Sequence, residues 1–345
     1  MERVLEIGGV AAGYCGRIFV RAGADVVRVE AGMRDPAWVS DTAMDVYLHA
    51  GKRSVGQMSA PLLQELAAAA DVVVCEASNA DAIDALGFDG WSTPLKLAIT
   101  PFGRTGPKRN WQASANVILA MGGYTQLMGD PGRAPLSLPG HYVEFQTATL
   151  GYMALNACQL DGQNNTIDLA MLESLMALSQ FTTVRWHCVS EVRSRHGSDF
   201  WFVVPSNLFA CSDGWVYINV VPNFWDPFTV FINRPELLMD PRFADNDLRM
   251  QHRDALHAIT AAALADLSKQ ELVARAEECR IPLGVVQSFD DVLADPHLAA
   301  RDFFEQVQDS EGVTWRSPGL PFQINRESRR SRTVQARATR SGGIW

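Results

Sequence analysis

The sequence predicts an α/β fold, a mostly parallel sheet covered by helices, with a smaller α+β unit after it. Three observations predict this. The first half alternates short β-prone apolar runs with helical patterns, the order that gives parallel strands joined by helical crossovers. After about Trp201 the character changes, and a hairpin signal is followed by helices. A length of 345 residues suits a large core and a second structural unit.

In chain order, residues 4–7 read as a strand, 14–22 as a helix and 25–30 as a strand. Residues 62–69 read as a helix, 71–75 and 97–101 as strands, and 143–159 as a long helix. A short β-prone piece then ends at Asp168, and a helix runs toward Leu178. Runs at 207–211 and 215–220 flank Ser212-Asp213-Gly214, and helical patterns follow at 225–232, 252–265 and 269–278. This second unit is expected at roughly 205–288. Residues 303–315 turn β-like again, and 326–345, with six Arg and one Glu, read as an extended basic tail.

Composition narrows the function. A net charge of −9 argues against a general nucleic-acid binder, so an anionic substrate must be met by Arg and Lys gathered locally. Cys15, Cys75, Cys158, Cys188, Cys211 and Cys279 form no C-x-x-C pair and read as free thiols of a reducing compartment. The seven His show no metal spacing, and His252 and His257 lie five apart on a helical pattern, where they diverge. No run of 18 apolar residues is present, and Glu2 and Arg3 before an apolar piece do not read as a signal peptide. A cytoplasmic protein without membrane or nucleic-acid partners is expected.

The most informative residue is Asp168, which closes Gly162-Gln163-Asn164-Asn165-Thr166-Ile167-Asp168 just before the run Leu169-Ala170-Met171-Leu172. A carboxylate at a strand–helix junction is an N-cap, and the first-turn N–H groups and the helix dipole favour its anion. The same anion can attack a carbonyl. Local sequence leaves both readings open. Gly8-Gly9-Val10-Ala11-Ala12-Gly13-Tyr14-Cys15-Gly16 follows a strand and opens a helix, but it lacks the G-x-G-x-x-G spacing of a dinucleotide site. It reads as a tight turn with close helix–sheet packing. His141 is the one His considered for proton transfer, with no partner evident in the sequence.

Eight motifs in order give the chain a resemblance to class III CoA-transferases, the carnitine dehydratase/bile-acid-inducible family that includes formyl-CoA transferase and α-methylacyl-CoA racemase. Ala12-Gly13-Tyr14-Cys15-Gly16 with Gly23-Ala24-Asp25-Val26-Val27-Arg28-Val29-Glu30 is similar to its opening strand–helix–strand. Gly51-Lys52-Arg53-Ser54-Val55 resembles N-K-R-S-[VI], Ala70-Asp71-Val72-Val73-Val74 resembles A-D-V-[VL]-[VI], and Gly103-Arg104-Thr105-Gly106-Pro107 resembles G-x-T-G-P. Ala120-Met121-Gly122-Gly123 follows. Gly162-Gln163 with Ile167-Asp168 resembles G-Q-x-[VI]-D, which ends in the family's nucleophilic Asp. Ile281-Pro282-Leu283-Gly284-Val285-Val286 and Val292-Leu293-Ala294-Asp295-Pro296 resemble V-P-x-G-P-V and V-L-x-D-P.

The resemblance implies a doubly wound, Rossmann-like large domain made from both chain ends, 1–190 and 289–345. It also implies a linker at 191–204, a smaller α+β domain inserted at 205–288, and an interlocked dimer. The implied activity is CoA transfer between an acyl-CoA and a small carboxylic acid through an aspartyl intermediate at Asp168. CoA is then a substrate, with no metal and no permanently bound cofactor. Its implied contacts are Val10, Ala11, Arg34, Lys52, Arg53, Glu76, Ala77 and Arg104, with Arg17 and Lys108 as further cations. The partner subunit is implied to be an identical chain or a paralogue.

The chain also departs from the family. Cys75-Glu76-Ala77-Ser78-Asn79-Ala80 stands in place of E-N-[FY]-x-P-G, and Ala85 where an Arg often stands. Gly56-Gln57-Met58-Ser59-Ala60 replaces x-L-D-[LM]-[KR], and Ala11 a polar residue. Ser114-Ala115-Asn116-Val117 lacks the racemase branch's His, which favours transfer over racemisation. The alternative is a family member with an eroded CoA site, serving as a non-catalytic partner subunit or in a diverged acyl or carboxylate activity.

Overall fold

The computed structural model describes residues 1–30, 42–56, 58–309 and 312–323. The basic stretch from 326 on lies outside the described residues. The strands β1 (Arg3–Ile7), β2 (Asp25–Val29), β3 (Arg53–Val55), β4 (Val72–Glu76), β5 (Leu95–Thr100) and β6 (Asn165–Ala170) form one sheet in the order β3-β2-β1-β4-β5-β6. All five pairings are parallel. The sequence states why. Val72, Val73, Val74 and Cys75 are fully buried in succession, as a strand covered on both faces requires.

Successive side chains of each strand enter different layers. Val4, Val26, Val72, Val74, Leu97 and Ile99 pack with residues of α1 (Val10–Ala22) and, later in the chain, with Ile118, Val143, Ala148 and Met171. Leu5, Ile7, Val27, Val73, Cys75 and Ala98 pack on the opposite face with Leu63, Leu66, Ile83, Phe88 and Trp91. The helices between are α2 (Thr42–His49), α3 (Ala60–Ala69), α4 (Ala80–Ala85), α5 (Ala115–Met121), α6 (Tyr124–Leu127), α7 (Tyr142–Asp161), α8 (Met171–Met176) and α9 (Gln180–Val189). No helix of the described residues is long and apolar enough to cross a membrane.

Helix α1 starts at Val10, one turn before the sequence pattern at 14, and it ends on Gly23 in the left-handed region at φ 100°. Its early start is fixed from outside. The Glu76 carboxylate, at the end of β4, accepts the Ala12 N–H at 2.9 Å. Gly8 has φ 125°, and a Cβ there would lie 2.5 Å from the Glu76 carbonyl oxygen, so the turn needs glycine.

The chain divides into two compact units. The first comprises Met1–Gln126, Ser137–Arg193 and the described residues from Pro296 on. In it the hairpin of β10 (Phe304–Gln308) and β11 (Thr314–Pro318) reaches α1, where Arg17 and Arg21 are buried against Glu305. The second comprises Leu127–Leu136 and Ser194–Asp295. Its sheet joins β7 (Ser206–Cys211), β8 (Gly214–Asn219) and β9 (Leu283–Val285) antiparallel, over a core that includes Phe209, Phe228, Phe231, Phe243 and Leu256.

Candidate active site

Asp168 is not a helix cap. β6 continues two residues past it, and α8 begins at Met171 with Ala170 at its N-cap. Ile167 and Leu169 pack on the α1/α7 side of the sheet, so strand alternation turns Asp168 to the other face. β6 is the edge strand there, and Asp168 is exposed beside Ala98 of β5. Its hydrogen bonds come from the segment after β5, where the Arg104 N–H donates to Oδ1 at 3.0 Å and to Oδ2 at 2.9 Å. Gly103, at φ 81°, makes the bend that aims this N–H, and a Cβ on it would sit 3.6 Å from Asp168 Oδ2.

The loop is held from behind. The Arg104 guanidinium donates to Asp89 at 2.8 and 2.6 Å and to Asp84 at 2.8 Å. Arg109 donates to the Arg104 carbonyl at 2.9 Å, to Asp81 at 2.9 Å and to Asp84 at 2.6 Å. The bonds from Arg104 hold the Asp84 and Asp89 carboxyls below the usual carboxylate range, and Asp89 in turn raises the pKa of Arg104. In front, a cavity of about 290 Å³ opens onto Asp168. Its walls include Phe102, Thr105, Pro107, Lys108, Leu172 and Glu173. The G-x-T-G-P resemblance marked Gly103 to Pro107 as a motif. Nothing local marked Phe102, Leu172 or Glu173, which reach the cavity because the loop after β5 meets the start of α8 through the Leu172 N–H on the Pro101 carbonyl at 3.1 Å.

The other nominated residues fall elsewhere. Val10, Ala11 and Ala77 are buried at the C-terminal ends of β1 and β4, around Glu76. Burial pushes the Glu76 carboxyl up to about 7, against the backbone N–H bonds it accepts and with help from the charge of Glu144. Glu144 also lies 3.3 Å from His141 Nδ1, so His141 has a carboxylate neighbour that sequence did not reveal.

Two of the nominated cations are corrected by geometry. Lys52 is 2 % exposed, with its Nζ on Glu6 at 2.5 Å and on the Gly13 carbonyl at 2.7 Å, and burial pulls its ammonium down to about 8. It braces α1 against β1 and offers no charge to a ligand. Arg104 contributes its backbone N–H, while its side chain is bound to aspartates. Arg17 is likewise buried. Arg53 pairs with Asp25. Arg34 lies outside the described residues. Burial pushes the Cys75 thiol up to about 12 and raises that of Cys15, so neither is a nucleophile at neutral pH.

The sheet order defines an α/β protein with an exposed, N–H-bonded carboxylate near the C-terminal edge of its parallel sheet. The model of CoA-transferase family III matches residues 2–335, and the chain belongs to that family. It is 28% identical to a succinyl-CoA–D-citramalate CoA-transferase of Chloroflexus aurantiacus, over 94% of this chain and 91% of the relative. It is also 28% identical to a succinyl-CoA:mesaconate CoA-transferase of Haloarcula hispanica, over 88% and 84% of the two chains. The crystal structure of a CaiB/BaiF family protein from Brucella suis superposes with a TM-score of 0.84 at 23% identity, covering 98% of this chain and 95% of that one.

Proposed function

We propose that the protein transfers CoA from an acyl-CoA to a free carboxylic acid, with Asp168 as the nucleophile. The observation that carries this reading is the exposed Asp168 carboxylate, facing a cavity with the Arg104 N–H on both of its oxygens. An Asp168 oxygen attacks the thioester carbonyl carbon, the C–S bond breaks, and CoA leaves as thiolate from a mixed anhydride. The thiolate attacks the Asp168 carbonyl carbon and releases the donor acid as its carboxylate. The acceptor carboxylate then attacks this aspartyl thioester, CoA thiolate leaves again, and its attack on the acceptor's acyl carbon restores Asp168. Protons balance without a general base. The Arg104 N–H is placed to polarise the Asp168 carbonyl at each exchange.

The acids in the names of the two relatives are dicarboxylic, and we assign this class to the present protein. CoA is assigned to the C-terminal end of the parallel sheet, without Lys52 or the Arg104 side chain as phosphate ligands and with the buried Val10, Ala11 and Ala77 beneath the surface rather than on it. The active form is a dimer of identical chains, a reading supported by large apolar side chains left in water on α7 and α9. Tyr142, Met153, Leu160, Trp186 and Val189 are each more than half exposed.

The test is turnover. With succinyl-CoA and a second dicarboxylate, the new CoA ester is followed by chromatography. Asp168→Ala and Asp168→Asn should each lower kcat by at least about a thousandfold. Comparable rates in wild type and Asp168→Ala would overturn the assignment.

A further inference from the structure

We propose that Lys108 sets the specificity of the Asp168 cavity by seating the second carboxylate of a dicarboxylic acyl group while the first reacts at Asp168. This rests on Asp168 being the site of transfer. The loop after β5 carries three cations, Arg104, Lys108 and Arg109. Both arginines turn back onto Asp81, Asp84 and Asp89. Lys108 lines the cavity with Asp168, and among the described residues no carboxylate pairs with it.

Its position is prepared. The Lys108 Nζ lies 5.1 Å from the centre of the Trp111 ring, and Trp111 stands edge-on to Phe102 at 6.1 Å. Phe102 is itself a cavity wall. A ring face steadies an ammonium without using its N–H groups, so they stay available to an acceptor. The other titratable residues of the lining are Asp168 and Glu173, both acids. A second substrate carboxylate entering this cavity meets one lining cation, and that cation is Lys108. An acyl chain ending in a methyl group has no use for it. Phe102, Pro107 and Leu172 offer apolar surface to the methylenes between, and about 290 Å³ suits a short chain better than a long one.

The test uses Asp168→Ala, in which esters bind without turnover. Succinyl-CoA and butyryl-CoA have acyl chains of equal carbon number and differ in a terminal carboxylate against a methyl. Calorimetry on this variant should find succinyl-CoA bound about ten- to a hundredfold more tightly, the range of one charge-assisted hydrogen bond. The preference should collapse in Asp168→Ala/Lys108→Gln and survive in Asp168→Ala/Lys108→Arg. Equal binding of the two esters to Asp168→Ala, or a preference that persists with Gln, overturns the role of Lys108 and leaves the CoA reading standing. Binding of neither ester to Asp168→Ala overturns both.

Discussion

The proposed reaction divides one task between the Asp168 side chain and the Arg104 main chain. In that reaction Asp168 supplies the oxygen that attacks, and Arg104 supplies an N–H that meets both Asp168 oxygens and whose direction is fixed by bonds within the protein. The Arg104 side chain on Asp84 and Asp89, and the Arg109 guanidinium on the Arg104 carbonyl, hold that N–H in place. Arg104→Ala should therefore leave the fold intact and lower kcat by about ten- to a hundredfold, the cost of a donor displaced by an ångström or less. KM should change little. Steady-state kinetics beside a thermal melt checks this, and a loss confined to KM would mean that the side chain binds substrate after all. At this scale the sequence is poor about hydrogen-bond partners. The G-Q-x-[VI]-D resemblance singles out Asp168, and its place before a helix predicts hydrogen-bond donors in that helix. They come instead from a residue 64 positions earlier, through a glycine bend. The resemblance offers Arg104 for its charge, which its neighbours Asp84 and Asp89 occupy.

Among the elements, β1, β2, β4 and β5 follow runs whose apolar residues go to both faces of a covered sheet, a pattern that survives any error of a residue at the ends. Helix α1 shows what such patterns omit. Its first turn was hidden because the cap is Glu76, from another strand. The same capping carboxyl makes stability depend on pH. Its folded value is near 7 against an ordinary 4.5, so folding favours the protonated form. The contribution is complete below about pH 4.5 and is lost as pH rises through about 7. Urea midpoints should thus fall between these limits in the wild type, and Glu76→Gln should flatten that segment of the curve. An unaltered slope in the variant would remove Glu76 as its source. The short helices α2, α4 and α5 escaped the sequence pattern because each has fewer than nine residues and too few turns to display a period.

At the scale of the molecule, the described residues from Pro296 on rejoin the first unit, where Glu305 meets the buried Arg17 and Arg21 of α1. No local pattern announces an ion pair between residues 17 and 305, whereas the ordered motifs did announce the family whose model spans 2–335. The proposed dimer should appear in sedimentation at micromolar concentration. Trp186→Asp, which puts a charge on the exposed face of α9, should weaken it at least tenfold. A monomeric wild type with full activity would contradict that assembly. The central claim, that Asp168 itself carries CoA during transfer, is tested most directly by mass spectrometry of the protein after succinyl-CoA and then borohydride. The account predicts reduction of the aspartyl thioester at residue 168 to an alcohol, in a peptide that stays unmodified when CoA ester is omitted. An unmodified Asp168 in protein that is turning over would contradict it.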